Sequence, residues 1–342
     1  MTDYKKIHGY NVRDYTTDPS NILTGQVWFD KTNIAVQFQA EGAGAWSTGT
    51  AYNNARKGAT SAGNRTSALI AGGGTGGTSG DDHSAQTETW NGTSWTEVAD
   101  LNQRRNSNMG VGADSTQALS LGGGAPGIPI GDNAGVLVES WNGSSWTELA
   151  DLSQNKGEAA TIGEYEDALC VGGNNPGIAQ NEKWNGSSWT ELADLNQGRG
   201  NAIGTGTTST SGIVSGGFIS PSPGSLWTDK VETWNGSSWT EVNDLNTGRA
   251  GLGGGGSATA TVVFGGRYDG NPNVNHTETW NGTSWTEVNN LSTAREKPFY
   301  SQHGSSTQNM AIGGAEGPLD EMITTVEDWD DPTLSVKTVS TD

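Results

Sequence analysis

Apolar residues in this chain come in short runs that stop at a pair of glycines: "LIAGGG", "LSLGGG", "LCVGG", "IVSGG", "VVFGG" and "MAIGG". Ahead of these runs lie stretches of small residues such as "NSNMGVGA". After them comes a polar strand ending in Trp, a tight turn and a second Trp, as in "ETWNGTSWTEV" from Glu88. Short runs bounded by Gly, Asn and Ser read as strands, so each unit reads as four of them. The Asn-Gly between the tryptophans suits a two-residue hairpin turn, where both residues tolerate positive φ.

Aligned on the second Trp, the units fall at Trp46, Trp95, Trp146, Trp189, Trp239 and Trp285, spaced by 49, 51, 43, 50 and 46 residues. Aligned on the first, they fall at Trp90, Trp141, Trp184, Trp234, Trp280 and Trp329. Four strands at this period are the signature of propeller blades. The expected fold is therefore all-β, a six-bladed β-propeller over residues 46–342, with an N-terminal extended arm and hairpin in residues 1–45. The small residues belong on the innermost strands, where blades converge. The twelve repeat tryptophans are expected to be structural, because aromatic pairs at identical strand positions form a core.

The ends of the register bear on closure. Trp46 has no "ETW" immediately ahead of it, and Trp329 has no clear "SWTEV" behind it. A strand at Trp46 paired with the strand at Trp329 would close the ring with both ends of the chain. The alternative takes "LSVKTVS", residues 334–340, as the last outer strand.

Gly-Gly, an acid-led strand ending in an aromatic, and a Trp after a short turn resemble kelch repeats, over about Trp46 to Asp342. The wording "GQVWFDKTNIAVQF", then "GAGAWSTGTAYNNAR", then repeated "ETWNGTSWTE", resembles kelch-like virion proteins of tailed bacteriophages, especially marine ones. That resemblance covers most of the chain and implies a particle-borne protein, located on the virion and made in the host cytoplasm. The unit "NEKWNGSSW" departs from it, with Lys183 in place of Thr or Ser.

Charge repeats with the blades. A Glu stands two residues before each first Trp: Glu88, Glu139, Glu182, Glu232, Glu278 and Glu327. A base stands ten residues after each second Trp: Arg56, Arg105, Lys156, Arg199, Arg249 and Arg295. A cationic ring for an anionic ligand is one reading. A repeated strand-to-strand ion pair that fixes how blades abut is the simpler one.

Composition narrows the functional classes. Scarce aliphatics and a formal net charge of −20 lean towards disorder, but 14 tryptophans at fixed spacing argue for stacked repeats. With 18 Lys and Arg against 38 Asp and Glu, the chain lacks the basic face that nucleic acid requires. The N-terminus has no apolar run fit for a signal peptide, and no stretch of 18 apolar residues could span a membrane. The single Cys170 reads as part of a buried strand. Asn-Gly-Ser/Thr triplets at Asn91, Asn142, Asn185, Asn235 and Asn281 match the glycosylation pattern, yet the hairpin turn already accounts for them.

Function is expected where the repeats differ. The segments between Gly-Gly and the following acid-led strand vary in length and content, and in a four-stranded meander they share a face with the inter-blade connections. Phe218 and Trp227 in one such loop, and Arg267, Tyr268 and Asp269 in the next, combine aromatics with polar groups. Phe218, Trp227, Tyr268 and Asp269 are the candidate ligand-binding residues, with host-surface glycans as the ligand class. Alternatively, Phe218 and Trp227 cover a small core within the loop.

No catalytic residue, metal or cofactor is expected. His8, His83, His276 and His303 show no metal-ligand spacing, and "DGNPNVN" lacks the charge and closing Glu of a calcium loop. The polar arm of residues 1–45 is expected to attach to other virion proteins. Two classes follow: a tail fibre or tail-associated adhesin, or a structural decoration of capsid or tail without a receptor.

Overall fold

The computed structural model describes residues 13–15, 27–30, 35–40, 44–76, 82–124, 133–173, 177–219, 226–268, 273–317, 319–331 and 335–338. The chain divides into two compact units, Ala45–Asp330 and the pair of ends, Met1–Gly44 with Asp331–Asp342.

The larger unit is a six-bladed β-propeller, each blade a four-stranded antiparallel sheet. In the first blade the strands run, from the axis outward, Thr60–Asn64, Ser67–Ala71, Thr87–Trp90 and Trp95–Val98. The innermost strands of the next four blades are Met109–Asp114, Ala160–Glu164, Ile203–Thr208 and Gly253–Ser257. They are rich in small residues because neighbouring inner strands touch: a Cβ on Gly110 would lie 2.6 Å from the Ser61 backbone nitrogen.

The sixth blade draws on both ends of the unit. Phe299–Tyr300, Gln308–Ile312 and Val326–Asp330 come from its C-terminal end, and Ala45–Thr48 from its N-terminal end supplies the outer strand. Trp46 lies directly opposite Trp329 in that pairing. The strand Ser335–Thr338 pairs instead with Ala35–Ala40. The propeller expected to reach residue 342 therefore ends at Asp330, since its last outer position is already filled.

The paired tryptophans repeat with little variation. Ring centroids are 5.1 Å apart in Trp234–Trp239 and 5.4 Å in Trp90–Trp95 and Trp141–Trp146, with the remaining three pairs at 5.3 Å. Within a pair the two rings have different partners. The first Trp ties its own blade: Trp90 Nε1 donates to Arg65 O at 2.9 Å and Trp234 Nε1 to Ser209 O at 2.9 Å. The second reaches back to the preceding blade: Trp95 to Thr50 O, Trp146 to Thr87 Oγ1, Trp189 to Ala150 O, Trp239 to Ala193 O, Trp285 to Asn243 O and Trp46 to Thr277 Oγ1. Each indole thus buries its rings between blades while its N–H stays satisfied.

The glycine pairs follow from a close approach. At Gly122 the backbone has φ 56°, and a Cβ there would lie 2.1 Å from Lys156 O. The next N–H, of Gly123, donates to that same carbonyl at 2.9 Å, docking one blade on the connection to the next.

The smaller unit holds a four-stranded sheet in the order Arg13–Tyr15, Val27–Asp30, Ala35–Ala40, Ser335–Thr338. The expected hairpin is present, with Asp30 paired to Ala35, and Trp28 is fully buried. Its first strand runs parallel to the second, and its fourth comes from the far end of the chain.

Candidate functional site

One face of the propeller carries the Gly-Gly loops together with the connections between blades. Bridges such as Lys57 to Gly74, Gly200 to Phe218, Ala250 to Arg267 and Glu296 to Ala315 join the two sets. The other face carries the uniform Asn-Gly turns, where Asn91, Asn142, Asn185, Asn235 and Asn281 each accept backbone N–H bonds at 2.9–3.0 Å from the two residues beyond the Gly. Variation and uniformity are thus on opposite faces.

The repeated charges are buried ion pairs. Arg56–Glu88, Arg105–Glu139, Lys156–Glu182, Arg199–Glu232, Arg249–Glu278 and Arg295–Glu327 lie 2.5–3.1 Å apart. They join an inter-blade connection to the third strand of the blade it enters, a different geometry from the strand-to-strand pair expected. The same carboxylates accept backbone N–H groups of the connections, from Asn53, Asn102, Ser153, Asn196, Asn246 and Ser292. Burial lowers the pKa of Arg105, Arg199, Arg249 and Arg295, and the facing glutamate opposes that shift. Buried and each paired with its glutamate, these bases form a structural clamp, although the Nε atoms of Arg56, Arg105, Arg199 and Arg249 find no hydrogen-bond partner among the described residues.

Two residues past each base the chain turns into the left-handed region. Gly58, Ser107, Glu158, Asn201, Gly251 and Lys297 have φ from 46° to 68°. They form a ring about the axis in which five of the six N–H groups donate to the ring residue of the blade before: Glu158 to Ser107 O at 3.0 Å, Asn201 to Glu158 O at 2.8 Å, Gly251 to Asn201 O at 2.9 Å, Lys297 to Gly251 O at 2.8 Å and Gly58 to Lys297 O at 3.5 Å. The backbone is fixed and only the side chains differ. Ser107 Oγ donates to Glu158 Oε1 at 3.2 Å, Asn201 Nδ2 to Glu158 Oε2 at 2.5 Å, and Lys297 Nζ also bonds Glu158 Oε1. Burial would lower the Lys297 pKa, but the charge and hydrogen bond of Glu158 outweigh it and hold the ammonium above the usual lysine range.

Beside this ring is a groove of about 160 Å³ lined by Asn201, Phe218, Trp227, Arg267, Glu296 and Lys297, with Ala250 and Gly251 as its floor. Phe218 and Trp227 face each other across a two-stranded ribbon, ring centroids 5.9 Å apart and edge to face. The Arg267 guanidinium lies over the Trp227 ring at 5.2 Å, and its Nε is 3.1 Å from Glu296 Oε2. Lys57 Nζ binds the other oxygen of Glu296 at 3.0 Å. Within the groove the single carboxylate of Glu296 is flanked by the cations of Arg267 and Lys297, the latter paired with Glu158.

Of the sequence candidates, Phe218 and Trp227 are brought together in this groove. They also pack on one another, so the loop-core reading and the ligand reading describe the same pair. Tyr268 turns elsewhere, its ring 6.5 Å from that of His276, and Asp269 lies outside the described residues. Glu158, Asn201, Glu296 and Lys297 were not singled out by sequence. Their signal is positional: they stand one or two residues past a repeated base or, for Glu158, two past Lys156. Cys170 is fully buried, and burial pushes its thiol up to about 11. Among the described residues no group of His, Cys, Asp and Glu is placed to hold a metal ion, and no helix is long and apolar enough to cross a membrane.

The fold defines a six-bladed β-propeller. Among solved structures the chain is similar to that of YjhT, with a TM-score of 0.64 and 15% identity over 84% of this chain and 99% of that one. No protein-family model matches the sequence, and no curated protein matches it.

Proposed function

We propose that this is a bacteriophage virion-surface protein, a tail fibre or tail-associated adhesin, that contacts host-surface glycans through the loop face of a kelch-like propeller. The observation that carries the ligand part is the groove in which Phe218, Trp227, Arg267, Glu296 and Lys297 converge. Its volume suits a six-membered ring, since a cavity of about 150 Å³ accepts benzene. Its aromatic wall and its charges of both signs suit a hydroxylated one. The virion part is supported by the resemblance of the repeat wording to phage kelch-like proteins. In this reading residues 1–45 attach to other virion proteins, and the strand Ser335–Thr338 belongs to the same attachment unit.

The test is a glycan array probed with the full chain, beside Trp227→Ala and Arg267→Ala. Retention on host-surface glycans that both variants lose, with unchanged melting, is the expected result. Equal retention by the variants removes the groove from the reading. Absence of any glycan binding leaves a structural decoration.

A further inference from the structure

The axial ring encloses a second cavity, of about 70 Å³, that shares Asn201, Gly251 and Lys297 with the groove. Its walls are layered by the repeat. The rim is the left-handed ring. One residue further into each blade come Ala59, Asn108, Ala159, Ala202, Leu252 and Pro298, apolar at all but one position. Met109, Gly110 and Tyr300 lie deeper still.

The cavity is blind. After Phe299–Tyr300 the sixth inner strand stops, and the following segment crosses the axis. His303 N–H donates to Gly63 O in the first blade at 2.8 Å, its Nε2 lies 2.6 Å from Gly163 O in the third, and Gln302 Nε2 donates to Thr161 O at 3.2 Å. No chain can thread through, so only a short substituent can enter from the loop face.

Volume and polarity specify that substituent. The cavity is about half the volume that holds six carbons in benzene, which corresponds to roughly three heavy atoms. Its wall is mixed, apolar at the alanines, Leu252 and Pro298 and polar at Asn108, Glu158 and Lys297, and among the described residues the Tyr300 hydroxyl has no hydrogen-bond partner. A methyl carbon, a carbonyl carbon and its oxygen meet all three conditions. Gly251 sets the passage between the two cavities: having no side chain, it leaves the ring low where the groove adjoins the axis.

We propose that the axial cavity is a subsite for the acetyl group of an acetamido sugar whose ring lies in the adjoining groove. The proposal rests on the glycan-binding reading above and adds the class of sugar. The Gly251 gap admits the acetyl, the alanines, Leu252 and Pro298 enclose its methyl, and Tyr300 donates to its carbonyl oxygen.

The experiment titrates the full chain, by NMR, with methyl glycosides of N-acetylglucosamine, N-acetylgalactosamine and N-acetylmannosamine, and with those of glucose, galactose and mannose. A fitted pocket discriminates a group of this size by roughly tenfold or more, which is the preference expected for one acetamido sugar over its parent. Gly251→Asn closes the passage, and Asn201 shows that Asn is accommodated at this ring position with φ 51°. Because Gly251 also floors the groove, the readout is the ratio of acetamido to parent affinity within that variant, which is expected to fall to about one. Tyr300→Phe, which removes one oxygen, is expected to reduce the preference roughly two- to tenfold. Equal affinity for acetylated and parent sugars, or a preference unchanged in both variants, overturns the subsite and leaves the groove. No binding of any of these glycosides overturns the subsite, and an array without any bound glycan overturns the glycan reading itself.

Discussion

Trp46 and Trp329 lie opposite one another in the closing blade, ring centroids 5.3 Å apart, in the arrangement that the other blades build from residues five apart in sequence. Trp46 also donates from Nε1 to Thr277 Oγ1 in the fifth blade at 3.0 Å and packs edge to face on Phe264 at 4.8 Å. The first strand of the propeller unit is therefore the clasp of the ring.

Truncation tests that clasp. A chain of Ala45–Asp330 retains every blade strand and is expected to fold and melt cooperatively. A chain starting at Thr50 loses the sixth outer strand and leaves Phe264 and Trp329 uncovered; removing one large buried aromatic alone costs about 3–5 kcal/mol. Circular dichroism melting of the two chains checks this. Equal melting would mean that the Trp46 strand does not close the ring.

The buried ion pairs predict a contrast between substitutions at one site. Arg249→Met strands Glu278 in the core, and breaking such a pair by removing one partner costs about 3–5 kcal/mol. Arg249→Lys is expected to cost much less, because Lys156 fills the equivalent place and reaches Glu182, Cys170 O and Gln180 O at 3.0–3.1 Å. Urea denaturation midpoints separate the two. Glycan binding is expected to be unchanged in either variant, as Arg249 is fully buried.

What the sequence discloses and what it hides follow from how repetition works. Trp95, Glu88 and Gly73 recur because each blade needs the same indole, the same carboxylate and the same left-handed backbone, so their period is visible in the letters. The axial ring recurs equally, but its need is for a backbone conformation that Gly58, Ser107, Glu158, Asn201, Gly251 and Lys297 all satisfy with different side chains. No shared letter marks it. The end of the propeller at Asp330 is hidden for another reason: the strand expected in residues 334–340 is present over Ser335–Thr338, and only its partner, Ala35–Ala40, decides which sheet it joins. Tyr268 was grouped with Trp227 by nearness in sequence of their loops, but adjacent loops turn independently.

Alkaline stability follows from Tyr52. Burial raises its pKa from 10.0 to about 12, opposed by a hydrogen bond with the Arg56 backbone. The unfolded chain therefore ionises first. The contribution of this group is fully present below pH 10.0 and is lost as pH rises through the interval to about 12. Burial also raises Tyr300, which acts in the same direction. Phenolate absorbance at 295 nm is expected to show a late-titrating class coincident with unfolding. Tyr52→Phe would remove that class in part, and lose the hydroxyl bonds to Arg56 O and Ile323 O at 3.0 Å. Titration of every tyrosine near pH 10 in the folded chain would show Tyr52 to be solvated.

Closure of the channel predicts a steric cost at Gly255. This residue lies in the inner strand "GGGGS" of the fifth blade and is fully compatible with an extended side-chain-bearing backbone, having no positive φ. What excludes a side chain is Asn309 of the sixth-blade strand Gln308–Ile312 together with the segment crossing the axis: a Cβ on Gly255 would lie 2.1 Å from Asn309 Nδ2 and 2.9 Å from Gly304 O. Asn309 is itself held, donating to Ser301 O at 3.2 Å and accepting from Ser301 Oγ at 3.0 Å. Gly255→Ala must therefore displace Asn309 and, through its bonds to Ser301, the crossing segment, at a cost of about 1–3 kcal/mol. Gly304→Ala meets the same Asn309 amide at 2.5 Å and is expected to behave alike. Since His303 and Gln302 belong to that segment, both variants are expected to expose the channel interior, read as faster amide exchange at His303. Unchanged exchange and melting in Gly255→Ala would mean that the axis is open at this level, and the axial cavity would then lose its floor.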